Sequence, residues 1–442
     1  METSRSITAG WLDSLPIFSF HRRILWVIGV VYFFEFSDLN SLAFVAPAIL
    51  QQWHMSVSTL SLVISASFFG MFAGAMGGGR LSDLVGRKRA LIATTVWFSV
   101  FSMLNAIVWE PIGLFIARLM TGVGLSAMAA VGMTYVVEMY PAAHRGRFHA
   151  LILVVGLAGI PVTAYVARYC VPLAPWGWRL VFLWGSLGIF FPFFARELEE
   201  SPRWLERRGR LAEASTVMTR ILNRAALETG SFPVAPANSG LISASFANAS
   251  RLFAPDVRPR TFIFTGLWMV QTLGFYGFTA WVPSLLLQQG ISQADSLSWA
   301  SAMQLGAVPG ALLAAFISDR WQRKYSLAVV AVVIALFGVA YGLTLHREPI
   351  IVFGFLVTMF IQTFAALIYP YTAESFPTEV RSLGTGFSYG MGRLSNVFGP
   401  VVIALIFTNY GYRSVFIYIA LCWLMVAAIA TAFGPKTKGE HL

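Results

Sequence analysis

Four charged side chains stand in stretches otherwise apolar enough to cross a bilayer: Glu35 and Asp38 in FFEFSDLN (33–40), Arg118 in RLMTGVGLSA (118–127) and Arg393 in GRLSNVFGP (392–400). A lone charge in a hydrocarbon core costs several kcal/mol, about 3 on insertion scales, so each needs a partner or a task. A carboxylate beside an arginine keeps its charge, whereas the same carboxyl alone in a dry pocket keeps its proton. An Asp–Arg pair that opens and closes is therefore a proton switch. A guanidinium has a second use: its planar fork binds a carboxylate through two parallel hydrogen bonds and stays ionised.

Counting along the helices gives depths. Asp38 lies 15 residues past Arg23, about 22 Å at 1.5 Å per residue, which leaves it ~8 Å short of the far edge of a core about 30 Å thick. Arg118 lies seven residues past Pro111 on a helix running the other way, about 10 Å below the same edge. Opposite charges at one depth predict a pair, which can be a working switch or a permanent structural bridge. Glu35 lies one turn inward of Asp38, placed to relay a proton, face a substrate or neutralise Arg393. Arg393 follows Arg381 by 12 residues, about 18 Å along its helix, near the midplane where transporters bind their cargo.

The elements that must position these residues follow from composition. The 442 residues are 57% hydrophobic and 12% charged, with a mean hydropathy of +0.70, which excludes a soluble globular domain. Runs of about 20 apolar residues predict twelve spans, at 24–48, 57–79, 90–109, 112–136, 148–171, 179–196, 261–286, 297–318, 326–345, 349–373, 384–408 and 412–433. The net charge of +11 reflects orientation and lipid contact rather than nucleic acid. Arg80, Arg87, Lys88 and Arg89, then Arg145 and Arg147, then Arg320, Arg323 and Lys324 fall on one side, while QQWHMSVS and QQGISQADS on the other side carry no Lys or Arg. The positive-inside rule then places both termini in the cytoplasm of a plasma or bacterial inner membrane protein. The N-terminal stretch through GWLDSLPIFSF lacks the pattern of a cleavable signal peptide, so span 1 is its own insertion signal. Cys170 and Cys422 have no metal or redox spacing and read as packing residues.

The chain repeats itself. Asp83, Arg87 and Lys88 recur as Asp319, Arg323 and Lys324, and Glu138, Pro141 and Arg145 recur as Glu374, Pro377 and Arg381, all at the single offset that separates Asp83 from Asp319. Two six-helix halves of parallel orientation are expected: residues 1–196 and 261–442, joined by a cytoplasmic linker at 197–260 with short helices. The linker reads as a solvated connector, its second part, SFPVAPANSGLISASFANAS, as flexible. The fold class is all-α integral membrane, twelve helices in two pseudo-symmetric bundles.

The motifs resemble those of the major facilitator superfamily: GGGRLSDLVGRKR (77–89), SDRWQRK (318–324), EMYPAAHRGR (138–147), EESPRWLERRGR (199–210) and YTAESFPTEVRSLGTG (371–386). They are similar to the branch of sugar porters, organic ion transporters and aromatic-acid/proton symporters, and the resemblance spans the chain. It implies transport by alternating access. It also carries the roles of the matching pair in proton-coupled relatives to Asp38 and Arg118, and recognition of a carboxylate to Arg393. The sugar-porter Gln-Gln pair with its following Asn is missing from WMVQTLGFYGFTAWVP (268–283), which has Gln271 alone, and this turns the expectation away from a hexose.

The expected function is a proton-coupled symporter of a small organic anion, an aromatic or related carboxylate, acting as a monomer in the lipid bilayer with no cofactor beyond the proton. Sugar or polyol symport, cation transport, drug export and nutrient sensing are the alternatives. Arg393, Gln271, Tyr276, Trp281, Tyr135, Gln362, Tyr369 and Asn396, with Tyr32 and Asn40 on span 1, would line a pocket with aromatic walls and a few directed polar groups. Asp83, Arg87, Lys88, Glu138, Arg145, Asp319, Arg323, Glu374 and Arg381 are read as gate parts. In this reading Asp83 pairs with Arg87 across the halves, and Glu138 with Arg145 and Glu374 with Arg381 form exposed latches worth about 0–1 kcal/mol each. An enzyme is not expected: no nucleophile stands with a base, no metal spacing occurs, and the glycines of GMGRLSNVFG belong inside a membrane helix.

Overall fold

The computed structural model describes residues 7–230, 249–318, 321–377 and 379–436. Asp319, one of the expected gate residues, its neighbour Arg320 and segment 231–248, expected to be flexible, lie outside the described residues.

Eleven helices are long and apolar enough to cross a membrane. Spans 1 to 6 are Ser19–Gln52, Val57–Val85, Arg87–Ile107, Pro111–Met139, Arg145–Leu173 and Trp178–Glu197. Spans 8 to 12 are Gln293–Ala314, Arg323–Leu343, Arg347–Ser375, Leu383–Tyr410 and Tyr412–Phe433. Span 7 crosses in two pieces, Arg258–Thr279 and Val282–Gln288, because Pro283 has no N–H to give the Thr279 carbonyl and the ladder breaks there.

Spans 1 to 6 pack on one another, as do spans 7 to 12, forming two pseudo-symmetric six-helix bundles. Close approach is secured by the same device in both. A Cβ on Gly70 or Gly74 of span 2 would sit 2.0 Å from the carbonyls of Leu119 and Val123 of span 4. The equivalents Gly306 and Gly310 of span 8 would meet the carbonyls of Phe355 and Met359 of span 10 at 2.6 and 2.1 Å. Only glycine lets these backbones touch.

The halves meet along spans 2 and 11 and at the face opposite the basic loops. At that opposite face Val282–Gln288 packs on span 1, span 8 packs on span 5, and the Ser301 hydroxyl donates to the Ala164 carbonyl at 2.9 Å. At the basic face, among the described residues, no ion pair joins one half to the other. There Gly77 and Gly79 of span 2 and Gly386 and Gly390 of span 11 have open space where a Cβ would point.

The linker is not the solvated connector expected. Helix Pro202–Arg207 buries Trp204 and Leu205 under the basic face, and helix Leu211–Thr229 buries Ala214, Val217, Met218 and Ile221 beside it. An amphipathic stripe with a row of arginines reads equally as free or docked, and here the apolar side found a core. An N-terminal helix, Ile7–Ser14, joins this layer through Leu12 and through Asp13, which accepts from Arg145 at 2.7 Å and Arg203 at 3.0 Å.

Candidate functional site

Asp38 and Arg118 are in contact, with Arg118 Nη1 3.4 Å from Asp38 Oδ2 and the two side chains 0% and 1% exposed. Each is held by serines from neighbouring helices. Arg118 Nε donates to Ser67 Oγ of span 2 at 3.1 Å, and the Ser102 hydroxyl of span 3 donates to Asp38 Oδ1. Gly185 of span 6 makes the room, since a Cβ there would lie 2.8 Å from Asp38 Oδ1. Four helices converge on span 1 to enclose one ion pair. A cavity lined by Asn40, Ser67, Phe68, Arg118, Tyr276 and Thr279 leads from this pair to the second half.

Behind Tyr276, which lines that cavity, stands Arg393. Its Nη1 donates to the Tyr276 hydroxyl at 2.7 Å, and Nε and Nη2 donate to the Tyr389 hydroxyl at 3.0 and 2.6 Å. The guanidinium carbon lies 5.1 and 5.6 Å from the Tyr389 and Tyr276 ring centroids. Met71 Sδ of the first half is 3.7 Å from Nη1, and Phe68 packs edge-on to Tyr276 at 4.6 Å. Trp268 and Tyr369 continue the aromatic wall, with ring centroids 5.2 and 5.9 Å from that of Tyr389. Among the described residues no carboxylate comes within ion-pair distance of Arg393. Its charge is spread over phenol oxygens and π faces, which carry no formal counter-charge.

Glu35 is 4% exposed, and among the described residues no hydrogen bond or ion pair reaches it. It lies three residues from Asp38 on span 1 and belongs to neither cluster.

The other expected pocket residues divide. Tyr276 and Tyr369 belong to the Arg393 cluster, and Asn40 lines the cavity. Gln271 is buried with Nε2 on Thr272 Oγ1 at 3.0 Å and Oε1 unpartnered, and Asn396 is buried with Nδ2 unpartnered. Trp281 fills the break in span 7, 1% exposed in the apolar core. The Cβ of Gln362 lies against Gly310 at the contact of spans 10 and 8. Tyr135 is a correction: its hydroxyl donates to the Glu199 carbonyl at 2.7 Å, tying the linker to the basic end of span 4 rather than facing a central pocket. Tyr32 likewise bonds the Ala129 carbonyl at 2.9 Å and packs on Gly132 and Gly156.

The gate residues pair differently from the expectation. Asp83 and Arg87 bridge at 2.8 Å, but one turn apart on the same half rather than across halves. Glu138 takes Arg87, through Nε and Nη2 at 2.9 Å each, together with Arg207 at 2.5 Å and Ser201 at 2.5 Å. Arg145 goes instead to Asp13 and to the Tyr140 carbonyl at 2.9 Å. In the second half Glu374 pairs with Arg323 at 2.6 Å, while Arg381 Nε donates to the Phe376 carbonyl at 3.4 Å. Local spacing favoured Glu138–Arg145, but helix ends far apart in the sequence converge on one face. Arg87, 2% exposed with a bidentate partner, is no weak exposed latch: stripping a partner from a buried pair costs about 3–5 kcal/mol. Lys88 Nζ caps the Leu198 carbonyl at 2.6 Å and Lys324 Nζ the Gly434 carbonyl at 3.2 Å.

Sequence reasoning missed Tyr389, Phe68, Met71, Ser67 and Ser102. Tyr389 had a signal, since it lies four residues before Arg393 and therefore on the same helix face. Serines in membrane helices more often bond their own backbone, and nothing distinguishes Ser67 and Ser102 before the helices are packed.

A family model described as Sugar (and other) transporter matches residues 23–442. The putative metabolite transport protein YyaJ of Bacillus subtilis (strain 168) is 41% identical over 439 residues, covering 99% of this chain and 97% of the relative. The niacin transporter NiaP of Acinetobacter baylyi is 29% identical over 98% of each chain. The xylose transporter XylE from E. coli, in a partially occluded inward open conformation, superposes with a TM-score of 0.76 over 96% of this chain and 100% of its own, at 16% identity. That last likeness concerns the fold.

Proposed function

This chain belongs to the sugar (and other) transporter family of the major facilitator superfamily, a multi-pass membrane transporter and not an enzyme, and from that premise we propose that it is a proton-coupled symporter of a ring-bearing organic carboxylate. The observation that carries the substrate class is Arg393: a guanidinium enclosed by Tyr276, Tyr389, Tyr369 and Trp268, with no protein carboxylate paired to it among the described residues. A cation with phenol walls lacks a counter-charge that an incoming carboxylate supplies, and the aromatic faces match a planar ring. The niacin relative, whose named cargo is a pyridine carboxylate, supports the same chemistry.

Coupling rests on Asp38 and Arg118. With the pair closed, Asp38 is held as a carboxylate. Protonation discharges it, Arg118 keeps its bond to Ser67 and turns to the cavity, and the contacts locking span 1 to spans 3 and 4 loosen. The cavity from Arg118 to Tyr276 gives that change a route to the cargo. Sealing at the face opposite the basic loops, with no ion pair between halves at the basic face among the described residues, supports an inward-facing state with the basic face cytoplasmic.

A thermal-shift screen of the purified protein tests the substrate class. Benzoate and nicotinate are expected to raise Tm where hexoses and organic cations do not, and Arg393→Ala is expected to lose the response. Stabilisation by sugars or amines alone would contradict the assignment.

A further inference from the structure

Arg179, the second residue of span 6, has no part in the site described above. It is 8% exposed, and its guanidinium carbon lies 4.2 Å from the Trp109 ring centroid and 4.5 Å from that of Trp178. Nη1 donates to the Ala106 carbonyl near the end of span 3 at 2.5 Å. Nε and Nη2 are buried without a hydrogen-bond partner, and among the described residues no carboxylate pairs with this cation. Glu110, the acid beside Trp109, is exposed and makes no ion pair with it. One whole edge of a buried guanidinium is therefore unused, and it is the edge that grips two oxygens of one anion side-on. Unmet donors on a buried charge are costly, so such an edge calls for an anion.

Its place in the fold selects the anion. Spans 3 and 6 pack on each other and on spans 1, 2, 4 and 5, at the rim of the first half and away from the seam. Arg179 stands at the face opposite the basic loops, where Trp53 meets Trp178 edge-on at 5.5 Å and Ile107, Ile112 and Trp176 are exposed. Indoles gathered at helix ends mark the headgroup level of a bilayer, the layer of the lipid phosphates. Trp109 is 79% exposed, and among the described residues no ring contact or hydrogen bond holds its indole apart from the contact with Arg179. We propose that Arg179 binds the phosphate of a lipid headgroup in the leaflet opposite the basic loops, with Trp109 as the lid. The indole lifts, Nε and Nη2 take two phosphate oxygens, and Nη1 stays on Ala106, so that the lipid ties the ends of spans 3 and 6 together. The repeat has no second copy of this site: Arg179 and Trp109 map onto Val415 and Leu345, and the second half is built without it.

The test uses the full chain, purified in detergent and stripped of lipid, with short-chain phosphatidylglycerol as the probe. Binding is read by native mass spectrometry and by the rise in Tm, with inorganic phosphate and a diacylglycerol of the same chain length as comparison arms. The wild type is expected to bind one lipid tightly and to respond less to either comparison arm. Arg179→Gln should weaken that lipid about tenfold, as for loss of a charge-assisted bidentate contact, and Arg179→Lys should recover part of it. Trp109→Ala, a change at an exposed side chain, should tighten binding about two- to fivefold, because the lid no longer has a cation–π contact to give up. Arg168→Gln, at an exposed arginine near the same face on span 5, should change nothing. Lipid retained by Arg179→Gln as by the wild type, or lost equally in Arg168→Gln, overturns the proposal. Inorganic phosphate that stabilises as well as the lipid overturns the lipid as its occupant. Should Arg179→Gln fail to fold, Trp109→Ala decides: unchanged or weaker binding there overturns the site.

Discussion

Shifted by the offset of the internal repeat, Arg87–Glu138 becomes Arg323–Glu374, Lys88 on the Leu198 carbonyl becomes Lys324 on that of Gly434, and Tyr135 on Glu199 becomes Tyr371 on Pro435. The basic ends of the two halves are the same structure built twice. At mid-membrane the correspondence ends. Asp38, Arg118, Ser67 and Ser102 map onto Gly274, Gly354, Met303 and Gly338, and the space of the ion pair is filled by the Trp423 indole against Gly274 and the Met303 side chain against Gly354. In return Arg393, Tyr389, Tyr276 and Tyr369 map onto Leu157, Leu153, Asn40 and Met133. The scaffold was kept in both copies while the buried charges were divided: one half holds the Asp38–Arg118 pair, which the proposed function makes the proton switch, and the other holds Arg393, which it makes the cargo site. Glu35 and Gln271 occupy equivalent positions, with the titratable one in the half that holds the Asp38–Arg118 pair.

That division can be broken at graded sites. Arg118→Ala should be the most damaging, because it leaves Asp38 buried and unpaired at about 3–5 kcal/mol. Purified protein should melt early, and adding Asp38→Asn should recover part of the loss. If the halves differ at the basic face as burial suggests, Glu138→Gln should cost about 3 kcal/mol by taking the bidentate carboxylate from buried Arg87 and leaving it only the exposed Asp83, against about 0–1 for Glu374→Gln, whose carboxylate is 41% exposed. Equal melting shifts would dissolve that distinction. Arg393→Ala, which orphans no acid, should leave the melting temperature of the empty protein nearly unchanged. It should still weaken carboxylate binding by about 10- to 100-fold, as expected for loss of a charge-assisted bidentate contact. Arg393→Lys should recover only part of that affinity. Smallest of all, Lys88→Ala and Lys324→Ala should each cost about 1 kcal/mol or less, the first more than the second because its bond is shorter and lies under the docked linker.

The fold was legible in the sequence because hydropathy and the constant offset are one-dimensional signals. Eleven spans stand close to their expected bounds, and the exception, span 7, breaks where Pro283 removes a donor. The contact of Asp38 and Arg118 was legible too, since depth along a helix can be counted. What could not be counted was azimuth. Whether Glu138 turns to Arg145 or Arg87, whether Tyr135 faces a pocket or the linker, and whether Ser102 reaches Asp38 depend on how helices rotate against one another. The linker failed for a related reason: an amphipathic stripe predicts burial only if a matching surface exists, and that surface is made by the ends of other segments.

The central claim, that one half couples protons to cargo held by the other, is tested most directly by uptake of radiolabelled benzoate or nicotinate into proteoliposomes with and without an imposed pH gradient, acid outside. The account predicts accumulation several-fold above equilibrium that collapses with a protonophore. In Asp38→Asn the gradient should drive nothing while exchange of labelled for unlabelled cargo continues. Uptake by the wild type that is the same with and without the gradient would contradict it.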